Sequence, residues 1–213
     1  MMKPMIVTFW IAAVILWLFF SGICFAGYNR EENFGGWIDE DNDGQNTREE
    51  VLERDSLIPV YKNESGKIIH GLWICSYTGL LFDDPKNLDI DHMVPLMEAY
   101  VSGAENWEQG YRIKYANYLN SKIHLVPVYN SSNREKSAKD ISVWLPLVNI
   151  KEYVYNWYTI KERWNLCFDK NEIEVLKMYF IEAFNICGGL HNVSISEQKE
   201  ETGIKIENET KPD

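Results

Sequence analysis

Positive charge is in short supply in this sequence. Lys and Arg number 21 against 32 Asp and Glu, a formal net charge of −11. That balance argues against a generic nucleic-acid binder, because affinity for phosphate comes from Lys and Arg. Cysteine is also sparse, with four in the chain. Cys24 belongs to an N-terminal apolar stretch, which leaves Cys75, Cys167 and Cys187 in a spacing that matches no zinc motif. An odd count permits at most one intramolecular pair. Cys167 and Cys187 flank a helical stretch and suit a bridge in an oxidising compartment; three buried thiols are the alternative. No internal repeat is visible, which sets repeat architectures aside.

What is present is enough for one domain with a real core: 213 residues, eight Trp and twelve Tyr. The chain opens with Lys3, an apolar run from Met5 to Phe20 and the small-residue stretch Ser21 to Gly27. Residues 1–26 read as a signal peptide cut after Ala26, or as a retained N-terminal membrane anchor, since about 20 apolar residues span a bilayer. Small residues closing the run favour cleavage, and both readings export the domain. The expected localisation is secreted or periplasmic, or membrane-anchored if the segment stays. Residues 194–213 are charged, lack aromatics and are expected to be a disordered tail. Between the two lies a domain over residues 28–190.

Charge along that domain is uneven. Residues 31–55 carry ten acids against Arg48 and Arg54, whereas residues 112–165 carry nine bases against four acids. The local field therefore matters more than the total. Residues 28–45 read as an acidic loop. Thr47-Arg-Glu-Glu50 fits a capping box, so a helix should start at Asn46 or Thr47, with Val51, Leu52 and Leu57 as its apolar face. Segments 58–62 and 67–75 suggest strands joined by a turn at Asn63–Gly66, and Tyr77–Gly79 suggests another turn. Residues 96–119 should be helical in pieces, broken near Ser102-Gly103. In the last third, Tyr153, Trp157, Ile160 and Trp164 form one apolar helix face. Ile173, Leu176, Phe180 and Phe184 form a second, with Asp169 or Asn171 as cap.

The chemistry concentrates in LDIDHMVPL, residues 88–96, where Asp91 and His92 end a short β-like stretch. His124 opens KIHLVPVY, residues 122–129, and Asn133 lies in NSSNREKSAKD, residues 130–140, which begins like a helix. A neutral imidazole that takes a proton from water, with hard oxygen ligands for a divalent cation, is what one-metal phosphodiester hydrolysis needs. His92 needs no large pKa shift for this, since imidazole titrates near 6.5. Alone, an Asp-His pair equally suits a structural turn. Asp89 shares a strand face with Asp91, and Lys136 shares a helix face with Asn133.

Together, LDIDHMVPLMEA, the HLVPV strand and NREK resemble an HNH, or His-Me finger, endonuclease. WIDEDNDGQNTREEVL, WICSYTG, SGAENW, YANYL, SVWLP and NWYTIKERWNL extend the likeness to exported bacterial nucleases of this kind. That group is similar to the C-terminal nuclease domain of GmrSD-type restriction enzymes. The likeness covers about Trp37 to Cys187. It implies an α+β fold with a ββα-metal core in a mainly helical shell, and hydrolysis of DNA or RNA without an obligate protein partner. It implies His92 as general base, Asp91 and Asn133 as ligands of Mg²⁺ or Mn²⁺ (zinc fits less well), and His124 at the motif's central, bracing position. Asp89 would support the metal site, and Arg134 and Lys136 would touch phosphate.

Asp39-x-Asp41-x-Asp43-Gly44, with Glu50 beyond, fits the calcium-loop pattern D-x-[DN]-x-[DN]-G-x₅-E. Gly35-Gly36-Trp37 is a poor incoming helix for an EF-hand, so an acidic lead-in to a helix is the competing reading. The rival to the nuclease is a calcium-stabilised extracellular binding module with an inactive nuclease core.

Overall fold

The computed structural model describes residues 27–187, with side chains described through Phe180. The signal peptide or anchor at 1–26, the tail at 194–213 and the side chains of Phe184 and Cys187 lie outside the described residues. The chain divides into two units, one running to Cys167 and one starting at Phe168.

The first unit begins with α1 (Arg30–Phe34), a short helix inside the stretch expected to be a loop. Its cause is local. The Asn29 side chain accepts from the backbone N–H groups of Glu31 and Glu32, and both acids sit in the first turn, where the helix dipole favours them. In α2 (Thr47–Asp55) the cap is Asn46, which accepts from Glu49 N–H. The capping residue thus lies one position before the expected Thr47. The Thr47 hydroxyl turns inward instead, donating to Asn117 Oδ1 at 2.8 Å and lying 3.1 Å from Ile38 O. Val51 and Leu52 are buried, but Leu57, past the helix end, is exposed.

β1 (Tyr61–Lys62) and β2 (Ile68–His70) pair antiparallel around the Asn63–Gly66 turn. The expected 67–75 strand breaks there, and β3 (Trp73–Ile74) pairs with β4 (Leu81–Phe82) in a second small sheet. Gly79, at φ 72°, closes the turn between them by donating its N–H to Cys75 O at 2.8 Å.

β5 (Leu88–His92) leads to α3 (Leu96–Val101) and α4 (Gln109–Ala116), with an interruption at Ser102-Gly103 as expected. β6 (Leu125–Tyr129) then returns antiparallel to β5, Leu88 opposite Tyr129 and His92 opposite Leu125. α5 (Asn130–Lys136) follows directly and packs on both strands. The period of two divides β5. Leu88 and Ile90 join Val51, Leu52, Ile68, Trp73 and Leu125 in the core. Asp89 and Asp91 face α5 instead, through contacts to Asn133 and Lys136. α6 (Ile150–Trp164) buries Tyr153, Trp157, Ile160 and Trp164, the aromatic face expected. The architecture is mixed α+β.

The second unit holds α7 (Lys170–Cys187). Asp169 is its cap. Asp169 N–H donates to Glu172 Oε2 and Glu172 N–H to Asp169 Oδ1, each at 2.8 Å, a reciprocal capping box.

The basic middle of the sequence does not form one solvated face. The Arg112 guanidinium donates to the carbonyls of Asn33, at 3.0 Å, and of Trp107. Lys161 is buried and donates to Glu98 Oε1 at 2.7 Å and Cys167 O at 3.0 Å. These charges serve the interior.

Gly71 marks where the expected strand breaks, and the reason is steric. A Cβ there would lie 2.4 Å from the Trp73 ring and 2.8 Å from Ser56 Oγ. Trp73 cannot retreat: it is fully buried and its indole N–H donates to Leu52 O at 2.7 Å. Gly71→Ala should therefore destabilise by about 1–3 kcal/mol. A thermal melt should show the midpoint falling by several degrees; an unchanged midpoint would mean the indole has room to move.

Candidate functional site

Asp91, His92 and Asn133 line one cavity of about 410 Å³, with Tyr28 and Arg30 on its wall. β5 delivers the first two, and α5 delivers the third. Asn133 Nδ2 donates to Asp89 Oδ2 at 3.1 Å. A carboxylate only accepts, so the Asn133 amide nitrogen is the group facing Asp89, and its carbonyl oxygen is left for another partner. Asp89 thus orients the Asn133 amide.

His92 is held on two sides. Its ring stacks on Trp37 at 5.3 Å between centroids and 7° between planes. Its Nε2 lies 2.9 Å from Ala116 O. A carbonyl cannot donate, so Nε2 carries the proton and Nδ1 the lone pair. The chemistry needs no large pKa shift at His92, yet one is present. Burial pulls the His92 pKa well below 6.5, and His124, Arg30 and Lys136 push the same way, against the hydrogen bond to Ala116. The ring is neutral at physiological pH.

His124 is 1% exposed and does not line the cavity. Its Nε2 lies 2.7 Å from Tyr115 O, and its own carbonyl accepts from Met93 N–H at 3.0 Å. It ties the segment after β5 to the start of β6 and to the end of α4.

Lys136 is the main correction. It was expected to touch phosphate, but its side chain is 0% exposed. Nζ lies 2.8 Å from Asp91 Oδ2 and donates to His92 O at 2.9 Å. It points inward because Asn133 and Lys136 share the helix face that α5 lays on Asp89 and Asp91. Burial lowers its pKa, and the adjacent Asp91 opposes that shift. Arg134 is exposed on the other side of α5. The basic side chain that does border the cavity is Arg30, which sequence reasoning missed inside an acidic segment. Tyr77, whose hydroxyl donates to Asp91 Oδ2 at 2.5 Å, was missed too.

Asp39, Asp41 and Asp43 bring carboxylate oxygens within 4.8 Å of one another, and Glu50 falls outside that group. The loop already uses these carboxylates itself. Gly44 N–H donates to Asp39 Oδ2 at 3.0 Å, and Gln45 N–H to Asp43 Oδ1 at 2.8 Å. Burial first, then the aspartates, raises the Glu50 pKa. Cys75 is a buried free thiol that accepts from Tyr129 N–H at 3.2 Å. Cys167 is free but exposed, so the expectation of three buried thiols does not hold for it.

No family model matches the chain, and no solved structure matches it. A protein of Arthroderma benhamiae named "Uncharacterized secreted protein" is 32% identical over 152 residues, which is 70% of this chain and 72% of that protein. The chain belongs to the family of that protein. Among the described residues no helix is long and apolar enough to cross a membrane.

Buried His124 makes stability depend on pH. Its pKa falls to about 4 in the folded chain, chiefly through burial, against an ordinary 6.5. The unfolded chain therefore binds the proton more readily. His124 contributes full stability above pH 6.5 and loses it as the pH falls from 6.5 to about 4. The loss should reach about 1.4 kcal/mol per pH unit inside that window. Denaturant melts from pH 7 to 4 should show a shallower acid loss in His124→Gln than in wild type. Parallel curves would remove His124 as the cause.

Proposed function

We propose that this chain is an exported, metal-dependent endonuclease of the HNH, or His-Me finger, type that hydrolyses phosphodiester bonds of DNA or RNA. In this reading β5, β6 and α5 are its ββα-metal core, akin to the nuclease domain of GmrSD-type enzymes. The observation that carries the reading is the convergence of Asp91, His92 and Asn133 on one cavity. Export draws on the N-terminal segment and on the secreted relative.

The donor set fits a hard divalent cation. Asn133 commits its amide nitrogen to Asp89, and Asp91 commits Oδ2 to Tyr77 and Lys136. Each keeps one oxygen, and those two oxygens would hold Mg²⁺ or Mn²⁺ with several waters retained. Zinc would call for more nitrogen or sulfur donors. A bound divalent cation supplies Lewis-acid stabilisation of charge on the phosphate and leaving oxygen. His92 Nδ1 accepts a proton from the attacking water. The water oxygen bonds to phosphorus as the bond to the leaving oxygen breaks. Ala116 and Trp37 keep the imidazole in the tautomer and orientation this needs. Arg30 faces the phosphate and offsets part of its charge.

Plasmid nicking by the purified mature domain with Mg²⁺, with and without EDTA, tests the reading. Nicking that EDTA stops is expected, and His92→Ala should lower the rate by ~10²–10⁴ with the fold intact. The rival, a calcium-stabilised binding module with an inactive core, draws on the Asp39–Asp43 cluster. It requires a Ca²⁺-dependent rise in melting temperature and no cleavage, so one preparation separates the two.

Arg30→Ala should raise KM for DNA and flatten the log–log salt dependence by about 0.9, the weight of one phosphate contact on duplex DNA. Binding isotherms between low and moderate salt measure this. A slope equal to that of wild type would take Arg30 out of the substrate contacts.

A further inference from the structure

The mechanism above assigns no task to Lys136, yet this fully buried charge touches both halves of the Asp91-His92 pair. Its Nζ is 2.8 Å from Asp91 Oδ2 and 2.9 Å from His92 O. The Tyr77 hydroxyl meets the same Asp91 oxygen at 2.5 Å. Tyr77 is itself fixed, buried in edge-on contact with Trp144 at 5.1 Å and Tyr153 at 5.6 Å. Two donors therefore occupy Oδ2, while Oδ1 accepts no hydrogen bond from the described residues. Stability is a weak reason to keep such a lysine, because a buried ion pair can often be replaced by apolar residues without loss.

We infer that Lys136 and Tyr77 are positioning residues that lock the Asp91 carboxylate, Oδ2 turned to the protein and Oδ1 left to ligate one divalent cation. The inference rests on the nuclease reading of the cavity. It makes Asp91 a ligand through a single oxygen. It also ties that oxygen to the base, because the ammonium that holds the carboxylate holds the His92 main chain as well. Freed of both donors, the carboxylate would turn about its own bond and present either oxygen. Partners of this kind, which touch no substrate, typically carry 10–100-fold of metal affinity or activity.

Tyr77→Phe is the decisive variant. It keeps the ring between Trp144 and Tyr153 and removes only the donor. Mn²⁺ is titrated into the full-length protein by calorimetry without nucleic acid, and cleavage is then followed at saturating Mn²⁺. Tyr77→Phe should bind Mn²⁺ about 10-fold more weakly and lose ~10–100-fold in kcat, with KM for DNA and the thermal midpoint close to wild type. Lys136→Met should show a larger loss of Mn²⁺ affinity; if it does not fold, Tyr77→Phe decides alone. Wild-type Mn²⁺ affinity and kcat in Tyr77→Phe would overturn the lock while leaving the nuclease standing. A wild-type protein that neither binds Mn²⁺ nor cleaves would overturn the nuclease reading, and the lock with it.

Discussion

An ammonium with no access to water has to be met by negative charge at close range, and Lys136 is met by Asp91 at 2.8 Å. The placement of α5 on β5 depends on that contact and its neighbour. Asn133 reaches Asp89 and Lys136 reaches Asp91, so a three-residue step on the helix is matched to a two-residue step on the strand. Three helical residues advance ~4.5 Å and two strand residues ~6.7 Å. The mismatch is absorbed by side-chain length, short at Asn133 and long at Lys136. Ser137, at φ 52°, turns the chain away immediately afterwards, and its N–H donates to Asn133 O at 2.8 Å. The helix is as long as the two rungs require.

The C-terminal end of α4 does for the imidazoles what α5 does for the carboxylates. Carbonyls at a helix end lack intrahelical partners, and those of Tyr115 and Ala116 accept from His124 and His92. The dipole at this end favours a cationic imidazole by up to ~2 kcal/mol. Full burial disfavours the cation by up to 3–5 pKa units, which is ~4–7 kcal/mol. Burial wins at both residues, as the direction of both shifts shows. The carbonyls then set the tautomer and leave the charge at zero. Asn117 ties this helix end to the acidic loop by accepting from Ile38 N–H at 3.1 Å. Trp37, one residue earlier, covers the face of His92.

The strand that ends in Asp91-His92, the returning strand after His124 and the helix bearing Asn133 were all legible in the sequence. Each rests on short-range pattern: alternation, a turn residue, a helical face. The aromatic face of α6 was legible for the same reason. The fate of Lys136 was not. Helical spacing placed it on the Asn133 face but did not say what that face meets, because the partner, Asp91, is 45 positions away in the chain. Arg112 and Lys161 escaped in the same way, since a basic residue that pairs with distant carbonyls or Glu98 looks like a solvated one in sequence. Arg30 was hidden by its acidic neighbours. What brings it to the cavity is α1, which packs on α4 with Arg112 bonded to Asn33 O.

Charge sets the terms on which such a site can meet a polyanion. The basic middle of the chain is partly spent on the interior, where Lys136, Arg112 and Lys161 are committed. Arg30 is the one Lys or Arg among the described residues lining the cavity. A protein that neutralises six to ten phosphates loses about 10³–10⁵ in affinity on going from 50 to 200 mM salt. One with a single arginine at the phosphate has little of that affinity to lose. On the nuclease reading, attraction to the scissile phosphate must then be concentrated where Arg30, Asp91 and Asn133 converge, with a divalent cation adding to the positive charge that Arg30 brings to the cavity. Few contacts also leave little with which to read base sequence, because direct readout requires donors and acceptors aimed at base edges. On that reading, low net attraction and low sequence discrimination both follow from the same allocation, in which Lys136, Arg112 and Lys161 serve the interior and Arg30 alone among the described Lys and Arg residues lines the cavity.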